Sequence, residues 1–305
     1  MTAEEGRMAP KKAVPEMPAK RRRGRRGQSA GQRAASIVLR FVVPAVFVAA
    51  AVGLLVTFWT GREAEAPELR AAIIDQLGLN EPNPEFVQTA TSTLEQAGYT
   101  VDYYPPEQVT VDFYRQLPKQ KYILIVFRVH IARFDAQNLT MEDPVRRQAI
   151  LDAFAEGAFL FTSEQYDNTK YPEDREKLRL FQVRNLAGSG DTRYFGITPR
   201  FIESMRGSFE KTVIVLMGCD GLLFDGTAQA FIDKGVGAVV GWDGLVSAAH
   251  TDKATQSLLQ KLVPEGMPLG EAIKRTMAEV GAEPAYGNSL KVYPQDAEDR
   301  TLPRG

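Results

Sequence analysis

Two side chains capable of covalent chemistry occupy matching places in the sequence. The apolar run VIVLMGCDG, residues 213–221, leads into Gly218, Cys219, Asp220 and Gly221, and Cys219 is the only cysteine in the chain. The apolar run KYILIVFRVH, residues 121–130, ends at His130, one of only two histidines. A free thiol is mostly protonated near neutral pH; an imidazole beside it accepts that proton, and the thiolate is the nucleophile. Gly218 and Gly221 allow a tight turn around the cysteine, so the Cys219 amide could face the oxyanion of an acyl-transfer reaction. Each residue also has a plain structural reading: a lone cysteine on a buried strand commonly serves as a small hydrophobe, and a lone histidine at a strand end as a hydrogen-bonding group. Their shared position gives the functional reading its weight, because sites in open α/β sheets form beyond the carboxyl ends of the strands.

Other chemistries find little material. One cysteine excludes an internal disulfide and a multi-cysteine zinc site, and two histidines leave little for a metal centre. His250, in AAHTDKAT, precedes a helix and reads as a surface or capping residue within reach of the crevice mouth. No glycine-rich phosphate fingerprint follows a strand, AGSG at 187–190 does not lie between a core strand and a helix, and no Gly-x-Ser-x-Gly elbow occurs. No metal and no cofactor are expected.

The elements that must position the pair alternate between strand and helix. Strands are expected over 69–77, 99–104, 121–130, 211–221 and 236–242. Helices are expected over 83–98 (Asn83 as N-cap, Pro84 in the first turn, Gly98 at the end), 110–117 (capped by Thr110), 198–207 (capped by Thr198), 226–235, 251–263 and 268–281. The 121–130 strand is apolar on both faces and therefore central in a parallel sheet. Residues 131–194 are less regular, with GAFLFTSEQY and LRLFQVRNL as two further strands forming a hairpin beside the main sheet. Repeated β-α-β order predicts an α/β fold, a mostly parallel sheet with helices on both faces, in one domain over 69–295 followed by a tail at 296–305.

The N-terminal part is of another kind. Residues 1–40 carry eleven Lys or Arg against three Glu, a charge of +8, which leaves −9 for the remainder of a chain whose net charge is −1. Residues 1–36 lack large apolar side chains and read as a disordered basic arm. FVVPAVFVAAAVGLLVTFW, residues 41–59, contains no charge in 19 positions, with Arg40 at one end and Phe58 and Trp59 at the other. One transmembrane helix is expected over 37–60, followed by a linker at 61–68. The cationic cluster before the span puts the N-terminus in the cytoplasm and the α/β domain outside it, in a single-pass protein of the cell membrane. The basic arm would then meet anionic lipid rather than nucleic acid. A cleaved signal peptide is the rival reading, with AEA at 64–66 as its small-x-small site.

A hydrophobic strand ending in histidine, followed much later by one ending in cysteine, resembles the caspase-like (clan CD) superfamily of cysteine peptidases, nearest to its bacterial CHAT and gingipain-like members. VIVLMGCDG looks like the family's nucleophile strand, and AQAFIDKGVGAVVGWDGLVSAAHTDKATQSLLQKL resembles the segment that follows it there. The resemblance implies Cys219 as nucleophile, His130 as general acid and base, and the backbone amides of Cys219 and of the residue after the histidine as oxyanion donors. That residue is small in the family and is Ile131 here. Asp220, and Trp242-Asp243 at the end of the next strand, would shape the substrate pocket, an acidic one suited to Lys or Arg; Arg128 would argue the other way if it reached the pocket. The resulting expectation is a membrane-anchored cysteine endopeptidase acting on a peptide or protein substrate outside the cytoplasm. The alternative is a caspase-like domain without catalysis that holds a protein partner at the membrane surface, a reading that Ile131 favours. A small-molecule-binding α/β domain is a third possibility with less support.

Overall fold

The structure, a computed structural model, describes residues 68–133, 142–184 and 192–305. The expected basic arm (1–36), the membrane span (37–60) and all but the last residue of the linker (61–68) lie outside the described residues. Among the described residues no helix is long and apolar enough to cross a membrane.

Five apolar segments form parallel strands: β1 (Arg70–Asp75), β2 (Thr100–Tyr104), β3 (Leu124–Arg128), β8 (Val213–Leu216) and β9 (Ala238–Trp242). The sheet order is β2-β1-β3-β8-β9-β10, and β10 (Leu290–Tyr293) runs antiparallel to β9. Side chains alternate across a strand, and the core divides accordingly. Ala71, Ile73, Leu124, Val126, Val213 and Val215 face helices α1 (Pro84–Gln96), α7 (Ala248–Leu262) and α8 (Leu269–Val280). Ala72, Ile74, Ile125, Phe127, Ile214 and Leu216 face the other way, toward α2 (Val111–Gln116), α5 (Pro199–Ser204) and α6 (Asp225–Asp233). Every residue of β3 and β8 is buried, as strands covered on both faces require. The fold is therefore α/β, with a mostly parallel sheet and helices on both faces.

Local chemistry sets the helix starts. Asn83, Thr110 and Thr198 each accept a side-chain hydrogen bond from the N–H three residues on, at Phe86, Phe113 and Phe201. The region 131–194 holds more order than the sequence suggests: helix α3 (Pro144–Ala155), the short α4 (Pro172–Glu176), and most of a second, antiparallel sheet. That sheet runs β4 (Ile131–Ala132), β5 (Phe159–Gln165), β7 (Arg193–Ile197), β6 (Leu180–Arg184). The two expected strands are β5 and β6, but β7 stands between them, so they do not form a hairpin with each other. Residues 296–305 pack onto the domain rather than trail from it. Leu302 is buried, the Tyr99 hydroxyl donates to the Pro303 carbonyl at 2.7 Å, and the Gly305 N–H donates to the Ala97 carbonyl at 3.0 Å.

One buried charge ties the strand ends to the helices. Arg128, the last residue of β3, is 1% exposed. Its Nη1 meets Asp75 Oδ1 of β1 at 2.8 Å, its Nε and Nη2 meet the Asp252 carboxylate of α7 at 2.8 and 2.9 Å, and Nη2 also donates to the Glu81 carbonyl at 2.8 Å. Burial opposes its charge, but the hydrogen bonds to Asp252 and Asp75 outweigh burial and raise its pKa. Asn83 joins the cluster by donating to Asp252 Oδ2 at 2.8 Å while capping α1. Replacing Arg128 with Met leaves two buried carboxylates without their cation. Urea denaturation should show a loss of about 3–5 kcal/mol, and a loss below about 1 kcal/mol would contradict this description of the cluster.

Candidate active site

β3 and β8 lie side by side, paired from Leu124↔Val213 to Phe127↔Leu216, and the Met217 N–H extends the ladder to the Phe127 carbonyl at 2.9 Å. His130 and Cys219 each lie three residues beyond the last of these pairs. Both line one cleft of about 720 Å³ at the carboxyl ends of the two strands. A larger depression of about 980 Å³ lies on the second sheet around Tyr166 and Arg193, but it is shallow, its lining is polar, and neither a thiol nor an imidazole lines it.

Gly218 makes the approach possible. A Cβ at this position would lie 2.5 Å from the Val129 carbonyl oxygen, 2.5 Å from Ile131 Cγ1 and 2.8 Å from the Ile131 nitrogen. The end of β8 therefore passes directly across the junction between β3 and β4, and only glycine fits there. Ile131 is 4% exposed, with its side chain in the core beside Leu160. The Phe161 N–H donates to the His130 carbonyl at 2.9 Å, which makes Ile131 and Leu160 a non-hydrogen-bonded pair. This pairing turns the Ile131 N–H away from β5, toward the Gly218 side.

The thiol of Cys219 is half-buried against Val246: the Val246 N–H donates to Sγ at 3.4 Å, and the thiol lies 3.4 Å from the Val246 carbonyl oxygen as its donor. Burial pushes the thiol pKa up, with the Val246 N–H working in the opposite direction. The His130 ring lies 5.7 Å from the Phe161 ring, and burial, with the Arg128 charge second, lowers its pKa to about 4. Both groups are therefore neutral at pH 7. Burial thus disfavours the charged form of each group, the thiolate and the imidazolium alike.

Four of the expected site residues come together in the cleft: Cys219, His130, Ile131 and Asp220. Asp220 has a left-handed backbone (φ 56), donates its N–H to the Gly244 carbonyl at 2.9 Å, and keeps its carboxylate nearly buried. Its ionic partner is the exposed Arg133, at 3.7 Å, and burial raises its pKa. The other three do not line the cleft. Arg128 is consumed by the ion cluster beneath the strand ends. Trp242 is fully buried and donates from Nε1 to Thr251 Oγ1 at 2.9 Å. Asp243 accepts the Ser289 N–H at 2.7 Å and lies 3.5 Å from Lys291 Nζ, fastening the chain into β10. Arg128 and Asp243 are drawn away by partners distant in sequence, and Trp242 by Thr251, nine residues on.

The far wall of the cleft was not legible in the sequence. Leu245, Val246 and Tyr286 line it. Glu283 Oε2 accepts the N–H groups of Ala285 and Tyr286 at 2.7 and 2.9 Å, and Asn288 Nδ2 donates to the Leu245 carbonyl at 2.9 Å. Two separate loops thus build one apolar rim. No protein-family model matches the chain, and no curated protein matches its sequence significantly.

The His130 environment predicts acid sensitivity. The folded protein keeps the imidazole neutral down to about pH 4, whereas the ordinary value is 6.5. The unfolded chain therefore binds the extra proton across that window, so stability is full above about pH 6.5 and falls toward pH 4, by up to about 3 kcal/mol. Denaturation at a series of pH values should show this slope in the wild type and a flatter one in His130→Asn. Equal slopes would contradict the assigned environment.

Proposed function

We propose that the chain is a caspase-like cysteine endopeptidase, held at the cell membrane by residues 37–60 with its α/β domain outside the cytoplasm. The observation that carries this reading is that the only thiol and His130 line one cleft, at the ends of neighbouring parallel strands. His130 takes the thiol proton as Sγ attacks the carbonyl carbon of a peptide bond. The N–H groups of Cys219 and Ile131 face the developing oxyanion. His130 then gives its proton to the departing amine, leaving a thioester on Cys219. Water attacks the thioester, its proton passes to His130, and the thiol returns as the acid product leaves. Asp220, a nearly buried carboxylate beside the nucleophile, suits a Lys or Arg side chain before the cut. Membrane lipid meets the chain through residues 37–60 and the basic arm; no nucleic acid and no cofactor take part.

A second reading keeps the caspase-like fold but uses the same cleft to hold a protein partner without cutting it. It is favoured by the thiol's double contact with the Val246 main chain and by a bulky Ile131 where the family has a small residue.

Peptides with internal Lys or Arg test both. The wild-type protein should cut after the basic residue, and Cys219→Ala should not. Asp220→Asn should lower kcat/KM on these peptides by about 30-fold or more, the loss that follows removal of one member of a desolvated charge pair. Peptides that bind the folded wild-type protein uncut would support the second reading and contradict the first. The anchor has its own test. Alkaline carbonate should leave the full chain in the membrane pellet, and release into the supernatant would contradict a spanning segment.

A further inference from the structure

Gln76 is fully buried and directly follows β1. At this residue the chain leaves the sheet: its φ and ψ are −68° and −31°, and a 3-10 turn follows at Leu77–Leu79. β3 runs on alone. The last paired residues of the two strands are Asp75 and Arg128, so the His130 N–H has lost the carbonyl that a longer β1 would have offered. The side chain of Gln76 takes that carbonyl's place, with Oε1 accepting the His130 N–H at 2.9 Å. The carboxamide orientation is fixed by this bond, because Nε2 in the same place would set donor against donor.

That orientation leaves Nε2 buried with no partner among the described residues. A side chain kept for packing alone would not carry an unused buried donor, because a methionine of similar shape fills the space without that cost. What glutamine adds is the acceptor for His130. The His130 carbonyl is held from the other side by the Phe161 N–H at 2.9 Å. Both main-chain groups of His130 are thus fixed, one from the end of β1 and one from β5 in the second sheet. Asp75 and Gln76 together grip alternate residues of the neighbouring strand end, Arg128 by charge and His130 by its backbone.

We propose that Gln76 is a positioning residue for the Cys219–His130 pair: it fixes the His130 main chain where the two sheets meet and so sets the direction from which the imidazole meets the thiol. The inference rests on the peptidase reading above, in which His130 acts on the Cys219 proton.

The test is the rate of Cys219 alkylation by iodoacetamide on the full chain, from about pH 4 to about pH 9, where thiol reactivity reports its proton's environment. Wild type, His130→Ala, Gln76→Met and Gln76→Glu are compared, with thermal melting as the check on folding. Gln76→Met should slow labelling near neutral pH by about tenfold or more, toward the His130→Ala rate, as expected for a displaced acid–base group. Gln76→Glu restores an acceptor for the His130 N–H and should stay within about threefold of wild type, while its carboxylate raises the imidazole pKa and moves the acid limb of the profile upward. A folded Gln76→Met that labels at the wild-type rate, while His130→Ala is slow, overturns the role of Gln76 and leaves the pair standing. If Gln76→Met does not fold, a folded Gln76→Glu that labels as slowly as His130→Ala, although the acceptor for the His130 N–H is kept, overturns it instead. Equal rates in wild type and His130→Ala overturn the pair itself.

Discussion

A guanidinium removed from water must be surrounded by acceptors, and those around Arg128 come from the elements that frame the cleft. Taking such a charge out of water costs several kcal/mol unless carboxylates and carbonyls replace the lost hydration. Asp75 supplies β1, Asp252 supplies α7, and the Glu81 carbonyl supplies the turn before α1. Slippage of any of these parts against β3 would strand a buried charge. The first turns of α7 are fixed more widely still. Thr251 donates to the Met217 carbonyl at 2.8 Å and accepts from Trp242, so the same helix start grips the ends of β8 and β9. The ends of β3 and β8, which carry His130 and Cys219, are held by one set of contacts.

Burial has a second effect on the same edge of the sheet. It lowers the imidazole pKa and raises that of the thiol, disfavouring the charged form of each. A neutral pair avoids the desolvation penalty of a standing ion pair in a half-buried cleft. It also keeps the thiol protonated, the form least open to oxidation, which suits a lone cysteine in the extracytoplasmic location proposed above. The nearly buried carboxylate in the cleft is Asp220, and its weak pairing with Arg133 leaves room for a stronger cationic partner.

What the sequence made legible was what local chemistry decides. The caps at Asn83, Thr110 and Thr198 follow from a side-chain oxygen three residues ahead of a free N–H, and the strands of the parallel sheet from apolar runs bounded by turn residues. That His130 and Cys219 line one cleft was legible too, because strand ends in a parallel sheet share one edge. The rest depended on partners far away in the chain. Arg128 reads as a pocket charge in IVFRVH, yet its carboxylates lie 53 and 124 residues away, and no local pattern announces them. Asp243 is likewise held by Ser289, 46 residues on, whereas Trp242 is held by Thr251 only nine residues on, across the turn into α7. β7 and β10 are short strands whose existence depends on neighbours, β5 and β6 for one and β9 for the other. The Val246 and Tyr286 walls come from loops without periodicity. Gln76 carries no sequence signal, because the bond it makes to the His130 N–H arises only where β1 turns away from the chain that follows β3.

In the proposed reaction Cys219 attacks an acyl carbon with His130 as its base. Intact-protein mass spectrometry after mixing with a lysyl peptide acyloxymethyl ketone reads this directly, since attack by sulfur displaces the carboxylate and leaves a thioether. A single adduct mapping to Cys219, formed rapidly in the wild type and slowly in His130→Ala, is the predicted result. A folded protein that forms no adduct, or forms it equally fast without His130, would contradict it.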